Sequence, residues 1–381
     1  MTRRAWALLA ALTLAAVMPP SPVTAAEAHP AHHDDASPAR LALLAQAEQA
    51  LDLGEVEKAA SLLDSAALMA HAADTETLQI RTQMQAGQYR QALAFAAHTA
   101  GVHLDDPLAP ALYAWLLDRG GQSAYARRML DEAFARRERL APDPQARAIA
   151  AMLADPRLPL PAALREPPHR FAPMATTLAV PPPPATAHVT GTGVIWADGR
   201  QALVPLGVLD GARAVWVRNG RGQTVFATRE RSVPALDIAV LDLGGTLPPG
   251  PVRWAPRDPF AGSPGAVADY PPVNGGDAAW PRLHPGFLGA TARTDRSRRL
   301  GIGLPAGSAG GPVFDSAGRL AGFALPRAHG TPVFQTVTAL RAALGSSPNG
   351  VDAGTGAVPV MAFDEIYEHA LCGALQVLVV P

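Results

Sequence analysis

The sequence has a single cysteine, Cys372, so an intramolecular disulfide and a cysteine-ligated metal cluster are both excluded. It also has almost no lysine: Lys58 is the one lysine among 32 cations, and the arginines that make up the rest are scattered rather than clustered. With 32 cations against 33 acidic residues the net charge is −1, so no global field draws the chain onto nucleic acid or anionic lipid. Its leading apolar run, Ala5 to Val17, has 13 residues, whereas a membrane-spanning helix needs about 20. What is present is 381 residues, 48% of them hydrophobic, enough for two or three domains of roughly 100–200 residues with true cores. The 34 glycines and 38 prolines predict many turns and some extended linker.

Arg3 and Arg4 precede that short apolar run, Pro19, Pro20 and Pro22 break it, and small residues follow at Ala26-Glu27-Ala28. A basic start, a short apolar core and a small-x-small site describe a cleaved secretory signal over residues 1–28, which predicts a periplasmic or secreted protein with no membrane span in the mature chain. The following polar leader, 29–37, opens with HPAHHDD. Its His29, His32 and His33 are of the type that holds Cu(II), Ni(II) or Zn(II), although nothing in the sequence fixes a further ligand beside them. No cofactor is otherwise expected.

Residues 38–155 are Ala- and Leu-rich with helical periodicity, and they repeat. Gly54, Gly87 and Gly121 are spaced 33 and 34 apart, and Ala59, Ala92 and Ala126 each follow five residues later. A glycine in the turn lets two helices fold back on each other, and a small alanine on the second lets them pack closely. The pattern resembles a tetratricopeptide array of about three units; Tyr89 fits its aromatic position, while Val56 and Ser123 do not. The resemblance implies a concave groove for a peptide or protein partner. Residues 156–187 are then broken by proline, including the run Pro181–Pro184, and read as an extended linker.

From 188 to 345 short apolar runs alternate with Gly, Pro and Asp turns: VTGTGVIW, ARAVWVRN, DIAVLDL, PVFDSAG and RLAGFAL. Strands of this length at such intervals predict a sandwich or barrel. Five ordered segments of this stretch are similar to trypsin-like, HtrA-type serine peptidases. GTGVIWADG, from Gly191, resembles their opening strand, and ALVPLGVLDGA, from Ala202, the segment of the catalytic histidine. LDIAVLDL, from Leu236, resembles the aspartate segment, and PAGSAGGPVFDSAGRLAGFAL, from Pro305, the nucleophile loop and its hairpin. PVFQTVTALRAAL, from Pro332, resembles the closing strand and helix. The expected fold is thus multidomain α + β, a helical repeat array followed by a trypsin-like antiparallel double β-barrel.

That family needs a hydroxyl to attack, an imidazole to take its proton and a carboxylate to orient the imidazole. Carried over position by position, Asp237 falls on the carboxylate, Gly207 on the imidazole and Ala309 on the nucleophile. Without its histidine, Asp237 is expected as a buried carboxylate accepting backbone hydrogen bonds at a strand start. Gly307, Ala309 and Gly310 remain as an oxyanion loop that could meet a carbonyl or carboxylate without acylation. Ser308 would serve as nucleophile only after a one-residue slip and with a replacement base from His188, His284 or His329.

After a second linker, 346–361, residues 362–381 read as a helix and a strand. This unit resembles the element that begins an HtrA-type domain, here placed last, either as an added strand or as a truncated second copy. Its Glu365, Glu368 and His369 have metal-ligand types but are expected on a solvated helix face, with Cys372 as a small core residue. The reading that follows is an exported, non-catalytic trypsin-like protein that binds a protein or peptide as adaptor, scaffold or regulator. The alternatives are an active serine endopeptidase using Ser308 and a periplasmic metal-handling protein using the leader histidines; neither nucleic acid nor membrane is an expected partner.

Overall fold

In the computed structural model the described residues are 37–135, 143–155, 183–196, 199–247, 253–291, 298–326, 332–345 and 359–381, with residues 158, 161 and 164 and the backbone of 170–171. The proposed signal, the leader histidines His29, His32 and His33, His329 and most of both linkers lie outside them.

Among the described residues seven α-helices come first: α1 (Pro38–Asp52), α2 (Val56–Ala67), α3 (Ala73–Gln85), α4 (Tyr89–Val102), α5 (Leu108–Arg119), α6 (Ser123–Ala135) and α7 (Pro144–Ala154). The first six form three antiparallel hairpins, and α7 packs on α5. The period seen in the sequence is repeated bond for bond. Gly54, Gly87 and Gly121 take left-handed φ values of 74°, 75° and 87°. In each turn the glycine N–H donates three residues back (to Leu51, Met84 and Asp118), and the next N–H donates five back (to Ala50, Gln83 and Leu117). This closes the ends of α1, α3 and α5 with a motif that suits a residue without a Cβ. Ala59, Ala92 and Ala126 are at most 1% exposed, at the close approach of paired helices.

Thirteen strands follow: β1 (Arg170–Phe171), β2 (His188–Trp196), β3 (Gln201–Pro205), β4 (Ala214–Asn219), β5 (Gln223–Val233), β6 (Ile238–Leu243), β7 (Pro264–Asp269), β8 (Arg282–Thr291), β9 (Arg298–Gly301), β10 (Gly311–Asp315), β11 (Leu320–Leu325), β12 (Val333–Thr336) and β13 (Ala374–Val380). Helices α8 (Val337–Leu344) and α9 (Phe363–Gly373) precede the last linker and the last strand. The first barrel runs β5-β4-β13-β2-β3-β6 and closes through β5 and β6, with β1 added outside on β5; the second runs β10-β11-β12-β9-β8-β7. All barrel pairings are antiparallel. This is the expected double barrel.

The C-terminal strand joins the first barrel, as the added-strand reading expects, and takes an interior place in the sheet. It lies between β2 and β4, with Leu375 opposite Gly193 on one side and Asn219 on the other. Its Leu375, Val377 and Val379 are at most 1% exposed and join the core of the first barrel.

The helical array and the barrels share one hydrophobic cluster, which runs from Ile80 and Trp115 through Trp280 and Leu283 to Tyr367 and Leu378. Tyr89 stacks against Tyr367 with ring centroids 4.2 Å apart, and Trp115 against Trp280 at 5.5 Å. The turn edge of the array faces the β-structure. A Cβ on Gly121 would come within 2.6 Å of Leu283 O on β8, and one on Gly87 would touch Arg221 at 3.0 Å.

Candidate functional site

Three segments converge where the barrels meet. Leu206–Leu209 form a short 3₁₀ turn directly after β3, and this turn carries Gly207. Its Leu206 N–H donates to Asp237 O at 3.0 Å, and Pro205 pairs with Ile238, so the Gly207 turn and the Asp237 backbone are neighbours. The nucleophile loop arrives from the second barrel. The Cβ of Ala309 would be 2.6 Å from a Cβ on Gly191, and the same point lies 2.6 Å from Val208 Cγ1. Its methyl therefore packs against the opening strand and the Gly207 turn, and Ala309 joins the apolar core of the first barrel.

Asp237 adopts φ 57° and ψ 39°, the left-handed region that non-glycine residues seldom occupy. Its side chain is exposed rather than buried, which corrects the expectation of a buried acceptor. The reason is local: the 3₁₀ turn Pro234–Leu236 ends on this left-handed residue, whose backbone carbonyl accepts the Leu206 N–H. Partial desolvation, then the like charge of Asp210, raise the Asp237 pKa.

Ser308 is 7% exposed, and its Oγ accepts the Gly310 N–H at 3.1 Å. Its own N–H donates to Pro305 O. The hydroxyl thus props the turn of its own loop, and Gly310 spends its donor on it. Gly310 sits at φ 85°, where a Cβ would run into Ala324 O, so this turn admits glycine alone.

A cleft of about 830 Å³ opens beside Gly207. A Cβ built on Gly207 meets nothing within 4 Å, so the turn is open toward the cleft at this point. His188 and Thr190 form one wall, the stretch from Tyr270 to Trp280 another, and Arg119 and Met152 of the array a third. Neither Ser308 nor Ala309 lines it. Thr192 joins the barrels beneath, its hydroxyl donating to Asp269 at 3.3 Å and accepting the Tyr270 N–H at 2.7 Å. His284, on β8, stands 3.7 Å from buried Asp269 and outside the cleft. The Tyr270–Trp280 wall was not picked out from sequence; its one signal is a Pro- and Gly-rich stretch bracketed by two aromatics.

The α9 residues are not on a solvated face. Arg90 of α4 binds Asp364 at 3.2 Å and Glu365 at 3.1 Å, and its N–H donates to Glu368 at 2.9 Å, so the acidic side of α9 docks on the array. Burial lowers the His369 pKa. Cys372 is a free thiol of intermediate exposure, lining a second cleft of about 730 Å³ with Arg90 and Arg221, and burial raises its pKa.

Residues 191–323 match the family model described as a trypsin-like peptidase domain. No curated protein matches the chain. Among solved structures, Rv3671c from M. tuberculosis H37Rv is similar at 18% identity and a TM-score of 0.32, covering 42% of this chain and 85% of that one. The HtrA-type protease AlgW is similar at 19% and 0.36, covering 42% of this chain and 52% of that one. A serine endoprotease from Yersinia pestis is similar at 21% and 0.34, covering 42% and 60%. The two six-stranded barrels and the family match agree on the segment they share: residues 191–323 are a trypsin-like peptidase domain, carried by a chain with a helical region in front of it.

Proposed function

We propose that this chain is a non-catalytic trypsin-like protein that holds a protein or peptide segment in the cleft at the barrel junction, as an adaptor, scaffold or regulator. The observation that carries it is the pair Gly207 and Ala309. The Gly207 turn lies beside Asp237 and Ala309 packs against that turn, and in this reading they offer open space and a methyl in place of an imidazole and a hydroxyl. Acyl transfer needs a nucleophile and a base within hydrogen-bond reach of each other. Ser308 supplies no substitute, because its buried Oγ is engaged by Gly310 N–H.

The cleft has the composition of a recognition site, with aromatic and proline walls and a few polar groups at Asp277, Asn274 and Gln376. Helix α5 and α7 residues complete it, so the array shapes the cleft. Among the described residues no helix is long and apolar enough to cross a membrane. The basic, apolar and small-residue start of the sequence supports export to the periplasm or beyond.

The test is labelling with a fluorophosphonate probe alongside a peptide-ester assay. The purified protein stays unlabelled and inactive, while immobilised protein retains a partner from periplasmic extract that a Gly207→Trp variant, filled at the cleft, releases. Labelling abolished by Ser308→Ala would overturn the reading.

A further inference from the structure

Away from the barrels, three side chains from separate elements meet on one point of the array. His71 lies in the connection between α2 and α3, Glu76 in the first turn of α3, and His103 at the end of α4. This is the edge of the array opposite the glycine turns, which face the barrels, because the hairpins are antiparallel. His71 Nε2 is 2.7 Å from Glu76 Oε1, and His103 Nε2 is 3.4 Å from Glu76 Oε2. One ligand atom from each residue falls within 4.8 Å of the other two. His98 is close by, its ring centroid 6.2 Å from that of His71.

The electrostatics of this group call for a cation. The Glu76 side chain is 7% exposed, and a carboxylate removed from water is costly unless it is matched by positive charge. The two imidazoles that face it have ring centroids 5.0 Å apart, and a divalent ion held by their nitrogens would supply charge to match the carboxylate. Two imidazole nitrogens and one carboxylate oxygen are the donor set of a three-ligand zinc site with the fourth position open, and the His71 side chain, 56% exposed, leaves the point accessible from solvent.

We propose that His71, Glu76 and His103 form a binding site for a zinc-class divalent ion between the first two helical hairpins, with water or His98 in the fourth position. The ion ties the α2–α3 connection to the end of α4 and fixes the spacing of neighbouring hairpins. It is a different location from the leader histidines His29, His32 and His33.

The full chain, stripped with chelator, is titrated with Zn(II) against a chromophoric competitor, and with Co(II) for visible absorption. A variant carrying His29→Ala, His32→Ala and His33→Ala serves as the reference, so that leader binding does not contribute. The reference takes up one Zn(II) and gives a Co(II) band. Adding His71→Ala, Glu76→Gln or His103→Ala weakens Zn(II) at least about tenfold, a loss that even an outer-shell partner can produce. His71→Ala removes an exposed side chain, so far-UV circular dichroism of that variant stays that of the reference. Absence of Zn(II) uptake by the reference overturns the proposal, and so does unchanged affinity in the His71→Ala, His103→Ala double variant.

Discussion

Arg282 of β8 donates to the carboxylate of Asp118 of α5 at 2.5 Å, a buried ion pair that pins the helical array to the second barrel. Arg119 adds a second bond to the same carboxylate at 2.9 Å. Burial alone would raise the Asp118 pKa, but the guanidiniums of Arg119 and Arg282 outweigh it and hold the group below its ordinary value of 3.8. A carboxylate with a depressed folded-state pKa stabilises the protein at pH above that ordinary value, and the contribution is lost as pH falls through the folded value. Burial also pulls Arg282 below its usual range, yet arginine stays charged throughout, so Asp118 alone sets this acid limb. In Asp118→Asn the melting temperature falls at neutral pH, by the equivalent of about 3–5 kcal/mol for a broken buried pair. Its stability also changes less than that of the parent between pH 5 and 2, as read by denaturant titration at each pH.

Removing residues 362–381 takes the strand out from between β2 and β4. The truncated chain loses its near-ultraviolet circular dichroism and its cooperative melt, while the helical signal of residues 38–155 persists in part. A milder probe is Leu375→Ala, at a side chain with no exposure; it costs about 2–5 kcal/mol for a deleted core leucine. A Leu375→Ala protein as stable as the parent would show that β13 is not an integral strand.

The two glycines flanking the junction answer oppositely to added bulk. Gly207→His has open space around its new Cβ and changes stability by no more than about 0.5 kcal/mol. Gly191→Ala forces a methyl within 2.6 Å of both Ala309 and Val208 and costs about 1–3 kcal/mol, as overpacking does. Thermal melts of the two variants compare them directly, and equal losses would contradict the packing described for Ala309.

Cys372 is held in its thiol form by burial, with Arg221 opposing and Glu368 adding to the upward shift. The thiolate is the reactive species, so alkylation by iodoacetamide at pH 8 is slower than for a free cysteine and accelerates on unfolding in urea. Equal rates in the folded and unfolded protein would show an unperturbed thiol.

Much of the scaffold is readable from local pattern. Gly54, Gly87 and Gly121 mark turns that need positive φ, and VTGTGVIW, DIAVLDL and RLAGFAL are strands because apolar runs of that length between turn residues have few alternatives. Side-chain direction is not readable in this way. Ser308 turning inward onto Gly310, and Asp237 turning outward on a left-handed backbone, depend on how two loops close. Nor are partners across long separations legible. Asp118 and Arg282 are 164 residues apart, and ALQVLVV reads as a strand without naming β2 and β4 as its neighbours.

The position of β13 also fixes the order of events during synthesis. Strands β2 and β4 begin about 160–185 residues before the strand that joins them. Until β13 is made, each presents an unmet edge, the kind of surface that invites pairing with other chains. The seven-residue β13 is the latch that closes both edges at once.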